Sequence, residues 1–451
     1  MRLESAAIRG HTCKVVVTEP GEDGRPLDLS TLRRSVEARL DRSPRARQKV
    51  VSTPLGLGEP VWVDDVDFDI RHHVRRVDTE GEMGVVELRQ IAATLMSERL
   101  DHSRPLWRLD LVAPLTGGST ALVLRIHHCM ADGVSAMRFA EQILWDPEPQ
   151  PAPSEPVPWH PEPGPSALSL ARSGIAERIA GAARATPVLA RAVVSPVRWR
   201  EAARTVSALP GALRRELTPL AARSSPFDRH IGPRRMVAWA RSEIAELKRI
   251  EHAAGEGVTV NDVLLGAVAG GLRDWLRAHE HELPPMRAQI PVSMHRREEH
   301  SQLGNRDSFL FVDLPVDDSD PADRLRRINA ETTERKARHD ADVLYAFFHS
   351  LSHLTPLYRR GVQIASGPRE FSLSISNVPG PREERFVLGH RVSAVYSFAE
   401  PADRHALRVS AISLAGTMQI GICADPDAVS GLDGLATAIE RSVAELGARY
   451  P

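Results

Sequence analysis

Apolar side chains dominate Leu106 to Val112, where Arg108 and Asp110 alternate with them, and again Thr120 to Ile126, where Arg125 is the one charge, with Pro114 to Gly118 between them. Two short apolar runs around a Gly-rich turn predict a β-hairpin. If the second strand stays extended through the residues that follow, period-two alternation puts His128 on the face of Leu122, Leu124 and Ile126. His127 then points the other way, with Arg125. Beyond Gly133, residues Val134, Met137, Ala140, Ile143 and Leu144 recur at helical spacing, so a strand-to-helix corner is expected. Further strand patterns lie at Lys14 to Thr18, Pro60 to Val63, Phe309 to Leu314 and Phe371 to Ile375. Polar helices are expected around Leu32 to Leu40 and Val85 to Arg99. A strongly periodic helix opens at Asn261-Asp262 and carries Val263, Leu264, Ala267, Val268, Leu272, Trp275 and Leu276.

These patterns divide the chain into 1–150, 151–224 and 225–451. The stretch Asp146 to Pro165 is proline-rich and cannot sustain a helix or a central strand, which makes it a linker. Ser166 to Leu217 is rich in alanine and arginine and broken at Pro187, Pro196 and Pro210. Its arginines, among them Arg172, Arg178 and Arg191, interleave with Ile175, Ile179 and Val193. One reading is a solvated helix packed across the two halves. The other is a cationic amphipathic segment on an anionic membrane surface.

At 451 residues the chain exceeds one comfortable core, so two domains are expected, and a net charge of -1 offers no field to recruit nucleic acid. Three cysteines, Cys13, Cys129 and Cys423, are few, odd in number and far apart, which points to a reducing compartment. No long apolar segment follows Met1, and the longest greasy stretch, near Val263 to Leu272, is too short to span a bilayer. The expected location is the cytoplasm, with peripheral attachment at the inner membrane surface as an extension of that reading. Lysine occurs only at Lys14, Lys49, Lys248 and Lys336, a bias we attribute to GC-rich coding.

The corner itself reads His127-His128-Cys129-Met130-Ala131-Asp132-Gly133. An imidazole that is neutral near pH 7 can take a hydroxyl proton, so a base aimed into an apolar pocket would be His128, with His127 structural. Asp132-Gly133 is also an ordinary turn signal, with Asp132 able to cap the helix. Metal binding by His127, His128 and Asp132, with His102, is disfavoured because adjacent strand histidines face apart. Cys129 falls on the face opposite His128 and is expected to be a packed small residue rather than a nucleophile. Thr259 and Asp262 have capping-box spacing, which alone accounts for them.

Pro105-Leu106-Trp107, HHCMADG, Asn261-Asp262, Pro291-Val292-Ser293 and Ser376-Asn377-Val378-Pro379-Gly380-Pro381 occur in the order found in the bacterial wax ester synthase/diacylglycerol acyltransferase family, which the chain resembles over most of its length. The HHxxxDG string alone marks only the wider superfamily of CoA-dependent acyltransferases. The resemblance implies an α/β (α+β) fold of two chloramphenicol acetyltransferase-like lobes with a substrate tunnel at their interface. It implies transfer of a long-chain acyl group from acyl-CoA to a diacylglycerol or a long-chain alcohol, with acyl-CoA as co-substrate and neither a cofactor nor a metal. By the same resemblance His128 and Asp132 are the catalytic pair, Asp132 in a structural post held by an arginine. His127, Gly133, Asn261 and Asp262 support the active site, and Trp107, Ser293, Asn377, Pro379 and Gly380 belong to the tunnel or to structural motifs. A membrane or lipid-droplet surface is the expected place of work.

The chemistry needs no covalent intermediate, and no GxSxG elbow is present. Two alternatives stay open: a relative that uses a carrier-protein donor or a secondary-metabolite acceptor, and a lipid-binding paralogue without turnover. The chain departs from the family at Met294-His295-Arg296, where the arginine after PVS is displaced by one. It departs again at Arg9-Gly10-His11, where a Met-His pair is usual, and at Ser413-Leu414-Ala415-Gly416, which lacks the usual tyrosine and asparagine.

Overall fold

The structure is a computed structural model, and it describes residues 4–56, 58, 60–131, 133–149, 157–176, 225–293, 307–338 and 371–451. Two six-stranded sheets organise it. The first contains β1 (His11–Thr18), β4 (Val74–Arg76), β5 (Trp107–Val112), β6 (Thr120–His127), β11 (Phe386–Val387) and β12 (His390–Ala399), in the order β11-β12-β1-β6-β5-β4. The second contains β7 (Met236–Glu243), β8 (Met286–Ser293), β9 (Asp307–Leu314), β10 (Leu373–Val378), β13 (Leu407–Leu414) and β14 (Thr417–Ala424), in the order β7-β14-β13-β10-β8-β9. A small ribbon of β2 (Gln48–Val51) and β3 (Val61–Asp64) stands apart from both.

The expected hairpin is β5 and β6, antiparallel from Trp107↔Ile126 to Val112↔Ala121, with Gly117 and Gly118 at positive φ in the turn. After the short helices α1 (Leu29–Glu37) and α2 (Ile70–His73) come α3 (Val85–Ser97) and α4 (Gly133–Ile143), and strand β6 is buried at every position because α3 and α4 lie on opposite faces of this sheet and divide its core into two clusters. Arg125 sits fully buried on the α3 side, where its Nη1 donates to Leu95 O at 2.6 Å and its Nη2 to Asp110 Oδ2 at 2.9 Å. A charge in that position is tolerable only because it is paired and hydrogen-bonded.

The second sheet carries α5 (Ile244–Ala254), α6 (Val260–Ala278), α7 (Pro321–Ala337) and α8 (Leu432–Arg449), and their apolar faces close a single large core. Helix α6 begins where its sequence requires: Thr259 accepts from Asp262 N, and Asp262 Oδ2 accepts from Thr259 N at 2.9 Å.

Sheets and sequence halves do not coincide. The division at 225 assigns everything after it to a second lobe, yet β11 and β12 extend the first sheet, with Lys14 opposite Ser397 and Thr12 opposite Ala399. β12 then lies against β14, where Gly421 is obligatory: a Cβ there would fall 2.0 Å from Ser397 O. The first lobe is therefore completed by a strand from the far end of the chain. Of the proline-rich stretch, Asp146 belongs to the first lobe, buried and paired with Arg39 at 2.8 Å. Of the helix expected after Ser166, residues 167–176 are described and are helical, with Arg172 and Ile175 exposed. Arg178, Arg191 and the rest of that segment through 224 lie outside the described residues.

Candidate functional site

Strand β6 ends at His127, one residue earlier than the alternation assumed, and His128 to Met130 form a turn. His128 nevertheless stays tied to the sheet, because its backbone N–H donates to Gly10 O at 2.8 Å. The two histidines part as expected. His127 is buried and points toward Glu4, with Nε2 at 2.8 Å from Glu4 Oε1, while Nδ1 accepts from Cys129 N at 3.0 Å. His128 is half-buried and opens on a cavity of about 320 Å³ between the sheets.

Period-two faces of four strands build one side of that cavity. Thr12 and Lys14 come from β1, Ser397 and Ala399 from β12, Arg408 and Ser410 from β13, and Ser376 from β10. Gly133, Val134 and Arg138 enter from the first turns of α4, and Pro291, Asn377, Val378 and Pro379 close it. The HHxxxDG corner, the Pro291 segment and the SNVPGP turn thus share one space. Gly380 is not in the lining. Its N–H donates to Ser413 Oγ at 2.9 Å, and a Cβ on it would meet Ser413 O at 2.0 Å, so it locks the turn against β13.

The electrostatics keep the His128 ring unprotonated. Burial, followed by repulsion from Arg408, His127 and Lys14, lowers the His128 pKa to about 3, so the ring is neutral at physiological pH with a lone pair to offer. Burial likewise pushes Lys14 down to about 8. The Cys129 thiol is pushed up to about 11, mainly by burial of the group, which leaves little thiolate at neutral pH. Its residue is exposed, however, so the expectation that it packs away is corrected: it sits on the turn, with Sγ 2.9 Å from His127 Nδ1.

Four expected site residues fall elsewhere. Asp262 is fully buried but faces α7, accepting from Thr332 Oγ1 at 2.7 Å and Asn329 Nδ2 at 3.3 Å as well as closing its cap. Neither it nor Asn261 lines the His128 cavity, and helix capping with Thr259 is what the structure shows for Asp262. Trp107 is a core residue, with Nε1 donating to Ala46 O at 2.8 Å and its ring stacked on His73. Ser293 ends β8 opposite Asp307. Asp132 and the shifted Met294-His295-Arg296 lie outside the described residues. The only cluster with metal-ligand spacing among the described residues joins Glu4, His102 and His127, without His128.

Sequence reasoning passed over Lys14, Arg408 and Glu400. The signal for the first two was a cation inside an otherwise apolar strand. Glu400 follows β12 and accepts from Arg9 N at 2.8 Å and Gly10 N at 2.7 Å, while Arg235 pairs with it at 2.7 Å. Gly10 in turn holds the His128 backbone.

Comparison with known proteins agrees with this architecture. Residues 1–264 match the wax ester synthase/diacylglycerol acyltransferase catalytic domain, and residues 303–447 match the C-terminal domain of the same family. A putative diacylglycerol O-acyltransferase of Mycobacterium tuberculosis is 30% identical over 91% of this chain and 81% of its own length. A probable diacylglycerol O-acyltransferase of the same species is 29% identical over 98% and 96%. Among solved structures, the wax ester synthase/diacylglycerol acyltransferase of Marinobacter aquaeolei VT8 superposes with a TM-score of 0.70 at 22% identity, covering 99% of this chain and 96% of that one. The first condensation domain of the CDA synthetase superposes at 0.59 and 16% identity, covering 99% and 92%, a likeness of fold alone.

Proposed function

The chain belongs to the wax ester synthase/diacylglycerol acyltransferase family, and from that premise we propose that it moves a long-chain fatty acyl group from acyl-CoA to the hydroxyl of a diacylglycerol or a long-chain alcohol, with His128 as general base. The observation that carries the reading is a neutral His128 at the mouth of a cavity shared by the HHxxxDG and SNVPGP segments. His128 takes the hydroxyl proton as the oxygen attacks the thioester carbonyl, the tetrahedral oxyanion collapses, and CoA leaves as the thiol once the proton is returned to sulfur. Acyl-CoA acts as co-substrate, and no step calls for a cofactor or a metal. Asp132 keeps the structural post that the family resemblance gives it.

Lipid acceptors reside at interfaces, and we place the enzyme peripherally at a membrane or lipid-droplet surface. No helix among the described residues is long and apolar enough to cross a membrane.

The test is mass spectrometry of products from purified protein given palmitoyl-CoA and a mixture of diacylglycerol, hexadecanol and hydroxylated small molecules. New ester with matching release of free CoA, lost in His128→Ala while lipid binding persists, is the expected result. Acyl transfer only from a carrier-bound thioester, or lipid binding with no ester from any donor, overturns it.

A further inference from the structure

Apart from the base itself, the polar side chains that line the His128 cavity are engaged, with one exception. Thr12 Oγ1 donates to Phe398 O at 2.9 Å, Ser376 Oγ to Ser410 Oγ at 3.2 Å and Lys14 Nζ to Ser397 Oγ at 2.5 Å, and Arg138 and Arg408 have partners as well. The side-chain amide of Asn377 lines the same space and has no hydrogen-bond partner among the described residues. An asparagine in a turn is ordinarily explained by a bond from its side chain to nearby backbone. Here the SNVPGP turn is held without it, by Gly380 N donating to Ser413 Oγ at 2.9 Å and Ala415 N to Pro381 O at 3.1 Å. The backbone of Asn377 is fixed too, because β10 runs parallel to β13 with Asn377 opposite Ala411 and Val378 opposite Ile412. Val378 reaches across to the HHxxxDG corner, where its Cγ2 would lie 3.2 Å from a Cβ on Gly133. The amide is thus a rigidly placed neutral donor in the cavity of the base, and the turn does not need it.

The tetrahedral oxyanion of acyl transfer needs a hydrogen-bond donor aimed at it. Resting on the acyl-transfer reading above, we propose that Asn377 is that donor, a catalytic residue whose Nδ2 hydrogen-bonds the thioester carbonyl oxygen as it gains charge. The bond from the acceptor oxygen to the carbonyl carbon forms while the hydroxyl proton passes to His128. Collapse of the oxyanion then breaks the C–S bond, and His128 returns the proton to sulfur; the amide N–H is never transferred. A neutral donor suits this site for an electrostatic reason. Arg408 and Lys14 already depress His128 by repulsion, and a further cation at the oxyanion would weaken the base again, whereas an amide supplies two N–H donors with no net charge.

The experiment compares Asn377→Ala with the isosteric Asn377→Asp, using palmitoyl-CoA with hexadecanol or diacylglycerol and counting activity per folded protein. Asn377→Ala is expected to lose about 10²–10³-fold in kcat, the usual effect of removing one oxyanion donor, with KM for palmitoyl-CoA little changed. Asn377→Asp keeps the shape and loses the donors, so it is expected to be at least as impaired as the alanine variant. Near wild-type turnover in Asn377→Asp assigns the residue to packing and overturns the proposal, as does a loss in Asn377→Ala that lies in KM alone. Infrared difference spectra of palmitoyl-CoA, isotopically labelled at the thioester carbonyl, read the contact without turnover. The carbonyl stretch is expected at lower wavenumber on His128→Ala protein than on the double variant His128→Ala/Asn377→Ala, and identical spectra overturn the proposal. Ester from neither acceptor with the wild type removes the acyl-transfer reading and this one with it. Ester made by the wild type and kept within about tenfold by Asn377→Ala removes this one alone.

Discussion

Nε2 of His127 lies 2.8 Å from Glu4 Oε1, so the first histidine of the pair is turned away from the cavity that the second one faces. Adjacent residues thus carry separable roles. His128→Ala should lose about 10²–10⁴-fold in turnover, the usual contribution of a general base, with little change in melting temperature. Glu4→Ala should instead leave a buried imidazole without its carboxylate and cost about 1–3 kcal/mol of stability, with turnover of the folded fraction largely kept. Paired thermal melts and active-fraction kinetics distinguish them; a His128→Ala enzyme within tenfold of wild type would sink the assignment.

Buried neutral histidines also set the acid stability. Burial lowers His127 and His73 to about 4, His73 against the opposing effect of its bond to Trp107 O. In the unfolded chain both bind protons near pH 6.5, so below that the unfolded state holds more protons and stability falls with pH. Their contribution is complete above about pH 6.5 and is lost as the pH drops toward 4, on the order of 1–2 kcal/mol each by pH 5. Urea titrations at pH 7.5 and 5 should show this loss, and replacing His73 by Phe should flatten it. A midpoint that does not move between those values contradicts the burial of neutral rings.

Glu400 links two distant parts of the chain to the base. Its carboxylate accepts from Gly10 N, Gly10 O accepts from His128 N, and Arg235 neutralises the charge, 0% exposed against 4% for the glutamate side chain. Removing one partner of such a pair costs about 3–5 kcal/mol, whereas Glu400→Gln keeps the acceptor oxygen and should cost less. We expect Glu400→Gln to lower kcat several-fold through misplacement of His128 while KM for acyl-CoA changes little, and Glu400→Ala to reduce soluble yield. Equal effects on kcat and KM would argue for a substrate contact instead.

Local patterns foretold what is locally determined. The β5–β6 hairpin and the α4 corner follow from apolar runs and turn residues, and the Thr259–Asp262 spacing announced a cap that the structure contains. Alternation separated the two histidines although the strand stops at His127, because His128 keeps a sheet bond to Gly10. Nothing local could reveal that β12 pairs with β1, since strands from opposite ends of the chain leave no mark on their neighbours in sequence. Each of Lys14 and Arg408 stood out as a cation in an apolar strand, but that they meet was hidden for the same reason: only that pairing and the approach of β13 bring them to one cavity.

The turn after β13 stores strain that one substitution can relieve. Ala415 and Gly416 join Leu414 to its partner Thr417, with φ of 44° and 89°. A two-residue hairpin loop with both φ positive is the type I′ geometry, which favours Asn-Gly because a left-handed alanine pays a steric cost. Ala415 N also donates to Pro381 O at 3.1 Å, a backbone bond that any side chain here preserves, so the turn keeps its hold on the SNVPGP segment. Ala415→Asn should therefore stabilise the protein by about 0.5–1 kcal/mol, seen as a higher urea midpoint at unchanged slope, with turnover retained. Ala415→Val, β-branched and poorly suited to positive φ, should shift the midpoint the other way. If both variants melt together with the wild type, the left-handed conformation at Ala415 is not present in solution.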